Sequence, residues 1–347
     1  MKPNSGKSPR GVARFAAWVV GVFPLATYAL PTASAAEPPN PAKTLEIEAK
    51  IPLGNVHGRI DHLAVDPGRQ RLYVAELGND SIGVVDLKAS KLIRTLADLQ
   101  APQGIGYVRA TDTVYVASAG DGSVRLFQGS ELAPVGHISL GSDADNVRVD
   151  EEAHRVFVGY GEGGIAVIDA DSQRKIADIA LHAHPESFQL ETSSQRIVIN
   201  VPDAHEIAVA DRTTKKQIAS WPTRDFDANF PLALDEPHQE ILVVFRHPAK
   251  IGTFSMNDGH LRRSVDTCSD ADDLFVDQRR NRIYVSCGEG FIDVLAGHGE
   301  SYGSIGRIPT ASGARTSLFV PALDRFFLAV RSAGAAPASI WVFRPVS

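Results

Sequence analysis

The stretch RLYVAELGNDSIGVVDL, Arg71 to Leu87, decides the fold, because the chain keeps rewriting it. It is two apolar, β-rich runs joined by a short Gly/Asn/Asp turn, the pattern of a β-hairpin. The first run returns as TVYV (Thr113–Val116), RVFV (Arg155–Val158), RIVI (Arg196–Ile199), EILVV (Glu240–Val244), RIYV (Arg282–Val285) and RFFLAV (Arg325–Val330). Successive copies lie 42, 42, 41, 44, 42 and 43 residues apart, counted at Val74, Val116, Val158, Ile199, Val243, Val285 and Leu328. The second run repeats in phase, from SIGVVD (Ser81–Asp86) to SIWVF (Ser339–Phe343). Seven copies of several short strands, with no helical period between them, predict an all-β protein: a seven-bladed β-propeller of four-stranded antiparallel blades.

Working outward, TLEIEAKIPL (Thr44–Leu53) alternates as a half-buried strand does and matches the fourth strand of later units, such as KLIRTLADL (Lys91–Leu99). The chain stops after SIWVFRPVS without a fourth strand of its own. The N-terminal strand is therefore expected to complete the last blade, leaving no open edge of backbone donors and acceptors. Each blade opens with an inner strand, such as IDHLAVD (Ile60–Asp66) or DNVRVD (Asp145–Asp150), which usually ends on an acid and a short Arg/Gln/Asn turn.

Ahead of the repeats, Lys2, Lys7, Arg10 and Arg14 form a basic start without acids, Phe15 to Leu30 is apolar, and Ala33-Ser34-Ala35 offers a small-residue cleavage site. This predicts a signal peptide over residues 1–35, a Pro-rich linker over 36–43 and a single propeller domain over 44–347. The expectation is a periplasmic or secreted protein with no membrane span after signal removal. With no Arg-Arg pair within residues 1–35, the general export route is preferred to the twin-arginine one. Loss of the signal moves the net charge from −6 to −10. An acidic chain repels phosphate backbones, so nucleic acid is discounted as a partner and a small-molecule ligand or an envelope protein is expected; the chain is expected to be a monomer. The two cysteines, Cys268 and Cys287, fall near one edge of the sixth blade and read either as a disulfide or as two small buried thiols.

The blade text, with RLYVAELGNDSIGVVDLKASKLIRTL as its clearest copy, resembles the YVTN-repeat, YncE-like β-propellers over nearly all of Thr44 to Val346. That resemblance implies seven blades around a central channel in a bacterial envelope protein, and no settled shared reaction. Its repeated residues are packing residues: Leu72 and Val74 are expected at blade interfaces, and Gly78-Asn79-Asp80 to supply turn geometry.

Chemistry is expected where the repeat is least repetitive, at the loops entering the inner strands. Aligned there, one column reads Asp61, Gln103, Asp145, Glu186, Phe230, Asp272 and Thr316, and the next His62, Gly104, Asn146, Ser187, Pro231, Asp273 and Ser317. The entry loops add His57, Arg59, Asp143, His182, His184, Asp225, Asp227, Asn229, Asp270 and Arg315. The candidate ligand-binding residues are His57, Arg59, Asp61, His62, Gln103, Asp145, Asn146, His184, Glu186, Asn229, Asp272, Asp273 and Arg315. Asp61, Asp145, Glu186 and Asp272 are also candidate ligands of a divalent cation, since oxygen-rich clusters suit Ca²⁺, Mg²⁺ or Mn²⁺. His182-Ala-His184 has the spacing of two imidazoles on one side of an extended segment. Arg315 reads as either a counter-charge to the acids or a grip for a ligand carboxylate. Three functions follow: binding of a small ligand or protein partner at this acidic mouth, a metal-assisted hydrolase or lyase of lactonase type using the same carboxylates and histidines, or a structural envelope scaffold. No phosphate-binding loop, dinucleotide fingerprint, haem-attachment motif or nucleophile elbow occurs.

Overall fold

Alternation of apolar side chains builds the elements, and their packing closes the ring. The computed structural model describes residues 44–298 and 301–346. The expected signal and linker lie outside these residues. Seven antiparallel sheets of four strands follow one another along the chain, six of them with their strands in sequence order from the channel outward. Blade 1 spans residues 63–96, blade 2 102–139, blade 3 144–180, blade 4 188–222, blade 5 227–266 and blade 6 271–309. Blade 7 takes its first three strands from residues 317–345, and its outer strand is Leu45–Pro52, which pairs with Ser339–Pro345. The ring is thus closed by the N-terminal strand. Among the described residues no helix is long and apolar enough to cross a membrane.

Successive side chains of a strand point to opposite faces of its sheet, so each second strand feeds two interfaces. Leu72 and Val74 pack with Ile51, Phe327 and Val342 of blade 7, whereas Tyr73 and Ala75 pack with Ile105 and Val114 of blade 2. All four are essentially without exposure. The acid ending the inner strand also has a job. Asp66 accepts from the backbone of Gly68 and Arg69 and holds the Arg69 side chain, whose guanidinium makes a bidentate pair with Asp112 of blade 2 at 2.7 and 2.6 Å. Asp277 and Arg280 repeat the device against Asp324 of blade 7.

The Gly78-Asn79-Asp80 turn differs from expectation in one respect. The left-handed residue is Asp80, at φ 53°, while Gly78 is required by close approach: a Cβ there would lie 2.7 Å from His57 O and 2.9 Å from Arg59 N. The turn and the entry loop of blade 1 are pressed together, which fixes the backbone around Arg59.

Cys268 and Cys287 are joined as a disulfide, with Cα atoms 5.8 Å apart and both residues buried. The bridge ties the entry loop of blade 6 to the end of that blade's second strand, just ahead of Asp270 and Asp272.

Candidate functional site

The inner strands do not enter the channel as regular strands. In blade 1, Asp61 N donates to Ala75 O and Ala75 N donates to His62 O, so two residues oppose one. Blade 4 repeats this with Glu186 and Ser187 opposite Asn200. Blades 2, 3, 5 and 6 shift register at the corresponding point. A β-bulge turns neighbouring residues away from strict alternation. That is why Asp61 and His62, Asp145 and Asn146, and Glu186 and Ser187 all line the same cavity.

Pairing also corrects the alignment of blade 7. Ser317 is opposite Leu328, as Leu63 is opposite Val74 and Val147 opposite Val158. Ala329 N donates to Thr316 O, the bond that Ala75 makes to His62. Arg315, not Thr316, is therefore the equivalent of Asp61, and Thr316 is the equivalent of His62. The sequence alignment slipped by one because it set Pro321 against the strand-ending acids, whereas pairing puts Val320 opposite Arg325, as Asp66 is opposite Arg71. Pro321 instead begins a 3-10 turn, for which its fixed φ and missing N–H are suited. The corrected column reads Asp61, Gln103, Asp145, Glu186, Phe230, Asp272 and Arg315, and all seven line one cavity of about 350 Å³ at the channel mouth. Gly104, the blade 2 equivalent of His62, lies against blade 3, since a Cβ there would fall 1.9 Å from Asp145 O.

Charges around the mouth are sorted into paired and unpaired. Arg59 donates to Asp61 at 2.8 Å. Arg315 donates to Asp270 at 2.5 Å, and its Nε lies 3.0 Å from Asp272 Oδ2, out of line for a hydrogen bond. Arg246, from the second strand of blade 5, donates to Asp272 at 2.6 Å and to Ala271 O at 3.0 Å, and its guanidinium lies 3.9 Å from the centre of the Phe230 ring. For Arg315, then, the counter-charge reading describes its contacts. Burial works against its charge, but Asp272 and Asp270 outweigh burial and its pKa is raised.

Asp145 and Glu186 lack such partners. Asp145 is 8% exposed and its Oδ1 accepts no hydrogen bond; His62 Nε2 stands 3.8 Å away. Burial pushes its carboxyl up to about 8, with His62 opposing and Asp61, Glu186 and Asp143 adding to the rise. Burial likewise lifts Glu186 to about 7, with Asp272 adding and Arg246 opposing. Asp272 is raised by burial as well, against the pull of Arg315. Desolvation disfavours the charged form of an acid, and neighbouring carboxylates add to it. Groups titrating near neutrality can exchange protons with a bound molecule.

Three expected residues stand outside the cavity lining. His57 is bonded at Nε2 to Asn55 Oδ1 at 2.9 Å and belongs to the clamp around Gly78. Asn229 is buried between blades 4 and 5, donating to Asn200 Oδ1 and Glu206 O. Asp273 turns toward blade 7, where its Oδ2 accepts from Ser317 N at 2.6 Å. The His182/His184 pair also separates: His182 meets Glu206 at 3.0 Å, while His184 meets Gly161 O at 2.6 Å and lines the mouth. The four candidate metal ligands share the cavity, but among the described residues no three His, Cys, Asp or Glu side chains gather closely enough to hold a metal ion. Arg59 and Arg246 occupy part of the carboxylate valence that such an ion would need.

Sequence reasoning missed Arg246 and Arg148. Arg246 directly follows the apolar run ILVVF in the strand EILVVFRH, and a cation after such a run was the available signal. Arg148 sits on the inner strand of blade 3, where burial lowers its pKa against the opposing fields of Asp273 and Asp145.

Fold and mouth together define a seven-bladed β-propeller with a polar, charge-sorted channel entrance. No family model matches the chain, and no curated protein sequence does. Solved structures do. A chain in the crystal structure of the mitotic checkpoint complex is similar at TM-score 0.73 and 11% identity, over 92% of this chain and 98% of that one. Kuenenia stuttgartiensis hydrazine synthase is similar at TM-score 0.70 and 13% identity, over 82% and 96%. The RRP9 WD40 repeats are similar at TM-score 0.72 and 8% identity, over 88% and 98%. At these identities the likeness is one of fold, an architecture that in general supports binding of ligands or partners.

Proposed function

We propose that this chain is an exported, YncE-like propeller whose role is to bind a small molecule at the channel mouth. One observation carries the binding half: all seven residues of the equivalent inner-strand position line one cavity, and among them a buried acid, Asp145, has an Oδ1 that accepts no hydrogen bond. Unpaired polar groups in a folded core cost about 1–3 kcal/mol each, so a purely structural mouth gains nothing from one. The binding reading is favoured over metal-assisted hydrolysis because the arginines already hold two of the four carboxylates that chemistry would use. Export and family rest on the N-terminal segment and the RLYV-type repeat.

The test is a thermal-shift screen of small molecules on the wild type and on Gln103→Trp, which fills the mouth from its rim. Hits that vanish in the variant, with the unliganded Tm unchanged, support the reading. Hits that persist place binding elsewhere. Fractionation of cells expressing the whole chain addresses export: a periplasmic product beginning at Ala36 is expected, and a cytoplasmic product beginning at Met1 refutes it.

A further inference from the structure

We propose that the molecule bound at the mouth carries a protonated amine, which donates to Asp145 Oδ1 and Asn146 Oδ1. The inference rests on the mouth being the binding site and names the chemical class it selects.

Two independent acceptors point there. Asn146 is 2% exposed and Asp145 8% exposed, both line the cavity, and in both the Oδ1 atom has no hydrogen-bond partner among the described residues. They are neighbours in sequence, and the bulge at the start of the blade 3 inner strand brings both side chains to the same space. A carboxylate beside an amide oxygen, both lacking donors, selects a group with several N–H bonds and a positive charge.

The surroundings supply no such group. Arg59 is spent on Asp61, and Arg246 and Arg315 are spent on Asp270 and Asp272. Arg331 faces Arg315 and Arg59 along with Asp272 and Asp61, so its field falls on the far side of the mouth from blade 3. The groups whose fields reach Asp145 are His62, Asp61, Glu186, Asp143 and the Arg148 guanidinium, and Arg148 gives its hydrogen bonds to Val147 O and Ser187 Oγ rather than to the Asp145 carboxyl. A ligand carboxylate would add to the negative field of Asp61 and Asp143 and would leave the Asn146 oxygen without a donor. A bare divalent ion lacks three convergent ligands. An ammonium meets both orphaned oxygens and relieves the repulsion.

Binding should also release protons. Near neutral pH burial keeps Asp145 largely protonated, and an ammonium beside it favours the ionised form.

The experiment is calorimetry of the full mature chain with benzylamine, benzyl alcohol and benzoate, which share a ring and differ in the polar group. Benzylamine is expected to bind about 10- to 100-fold more tightly than benzyl alcohol, the range of a charge-assisted hydrogen bond. Its enthalpy is expected to differ between two buffers of unequal ionisation enthalpy, reporting proton release. Asp145→Asn should remove the preference for amine over alcohol and the buffer dependence together. Equal affinity for amine and alcohol, no binding of benzylamine by millimolar concentration, or an amine preference that survives Asp145→Asn overturns the assignment. The two readings fail differently. Benzoate binding that Gln103→Trp blocks keeps the mouth and rejects the amine, whereas benzylamine binding that neither Gln103→Trp nor Asp145→Asn affects rejects the mouth itself.

Discussion

Replacing Asp145 with Asn should stabilise the unliganded protein, and by an amount set by pH. The folded-state carboxyl titrates at about 8, whereas an unfolded Asp titrates at about 3.9. Below pH ~4 the acid is protonated in both states and contributes no penalty. As pH rises from there, the unfolded chain gives up its proton and the folded chain keeps it, so stability falls at about 1.4 kcal/mol per pH unit. At pH 7 the loss reaches about 4 kcal/mol, and it levels off above pH ~8 at about 5 to 6 kcal/mol, both upper bounds because Glu186 and Asp61 readjust with it. Asn cannot ionise and nearly matches the shape, and it forfeits only a 3.8 Å contact to His62. The assay is urea denaturation of wild type and variant at pH 4, 7 and 9, without ligand. Curves that coincide at pH 4 and separate in favour of the variant at pH 9 are expected. A variant equally destabilised at all three pH values would show Asp145 to be a structural acceptor, and the charge-sorting argument would fail.

Asp272→Asn should do the opposite and cost stability at pH 7, because Arg246 and Arg315 would lose a counter-charge, though less than the roughly 3–5 kcal/mol of a fully broken buried pair, since burial raises the Asp272 carboxyl and Asn is spared that penalty; unchanged urea stability refutes that pairing. Deleting residues 44–52 should remove the outer strand of blade 7 and abolish cooperative unfolding, since Ser339–Pro345 would become an open edge; a single sharp transition at the wild-type midpoint contradicts closure. Free-thiol titration of denatured, unreduced protein should find no thiols, and reduction of the bridge, 19 residues apart in sequence, should cost about 3 kcal/mol; two reactive thiols would contradict the bond.

Much of this protein is legible in its sequence, for a local reason. A strand's side-chain period and a hairpin's turn are properties of a dozen neighbouring residues, so seven copies of RLYV-type text specify seven blades, and a missing fourth strand at one end with a spare one at the other specifies closure. The positions of Asp61, Asp145, Glu186 and Asp272 at the mouth follow from the same repeat. Three things needed the tertiary structure. The bulges bring adjacent residues to one cavity, which alternation alone denies. The register of blade 7 replaces Thr316 by Arg315, because Pro321 starts a turn and only pairing across the sheet can say so. Above all, which acids are neutralised depends on partners that are far apart in the chain: Arg246 lies 26 residues from Asp272, and Arg315 lies 45 from Asp270. Periodicity places a carboxylate at the channel, but charge falls off with distance in space, and only the folded ring determines that Asp272 is answered and Asp145 is not.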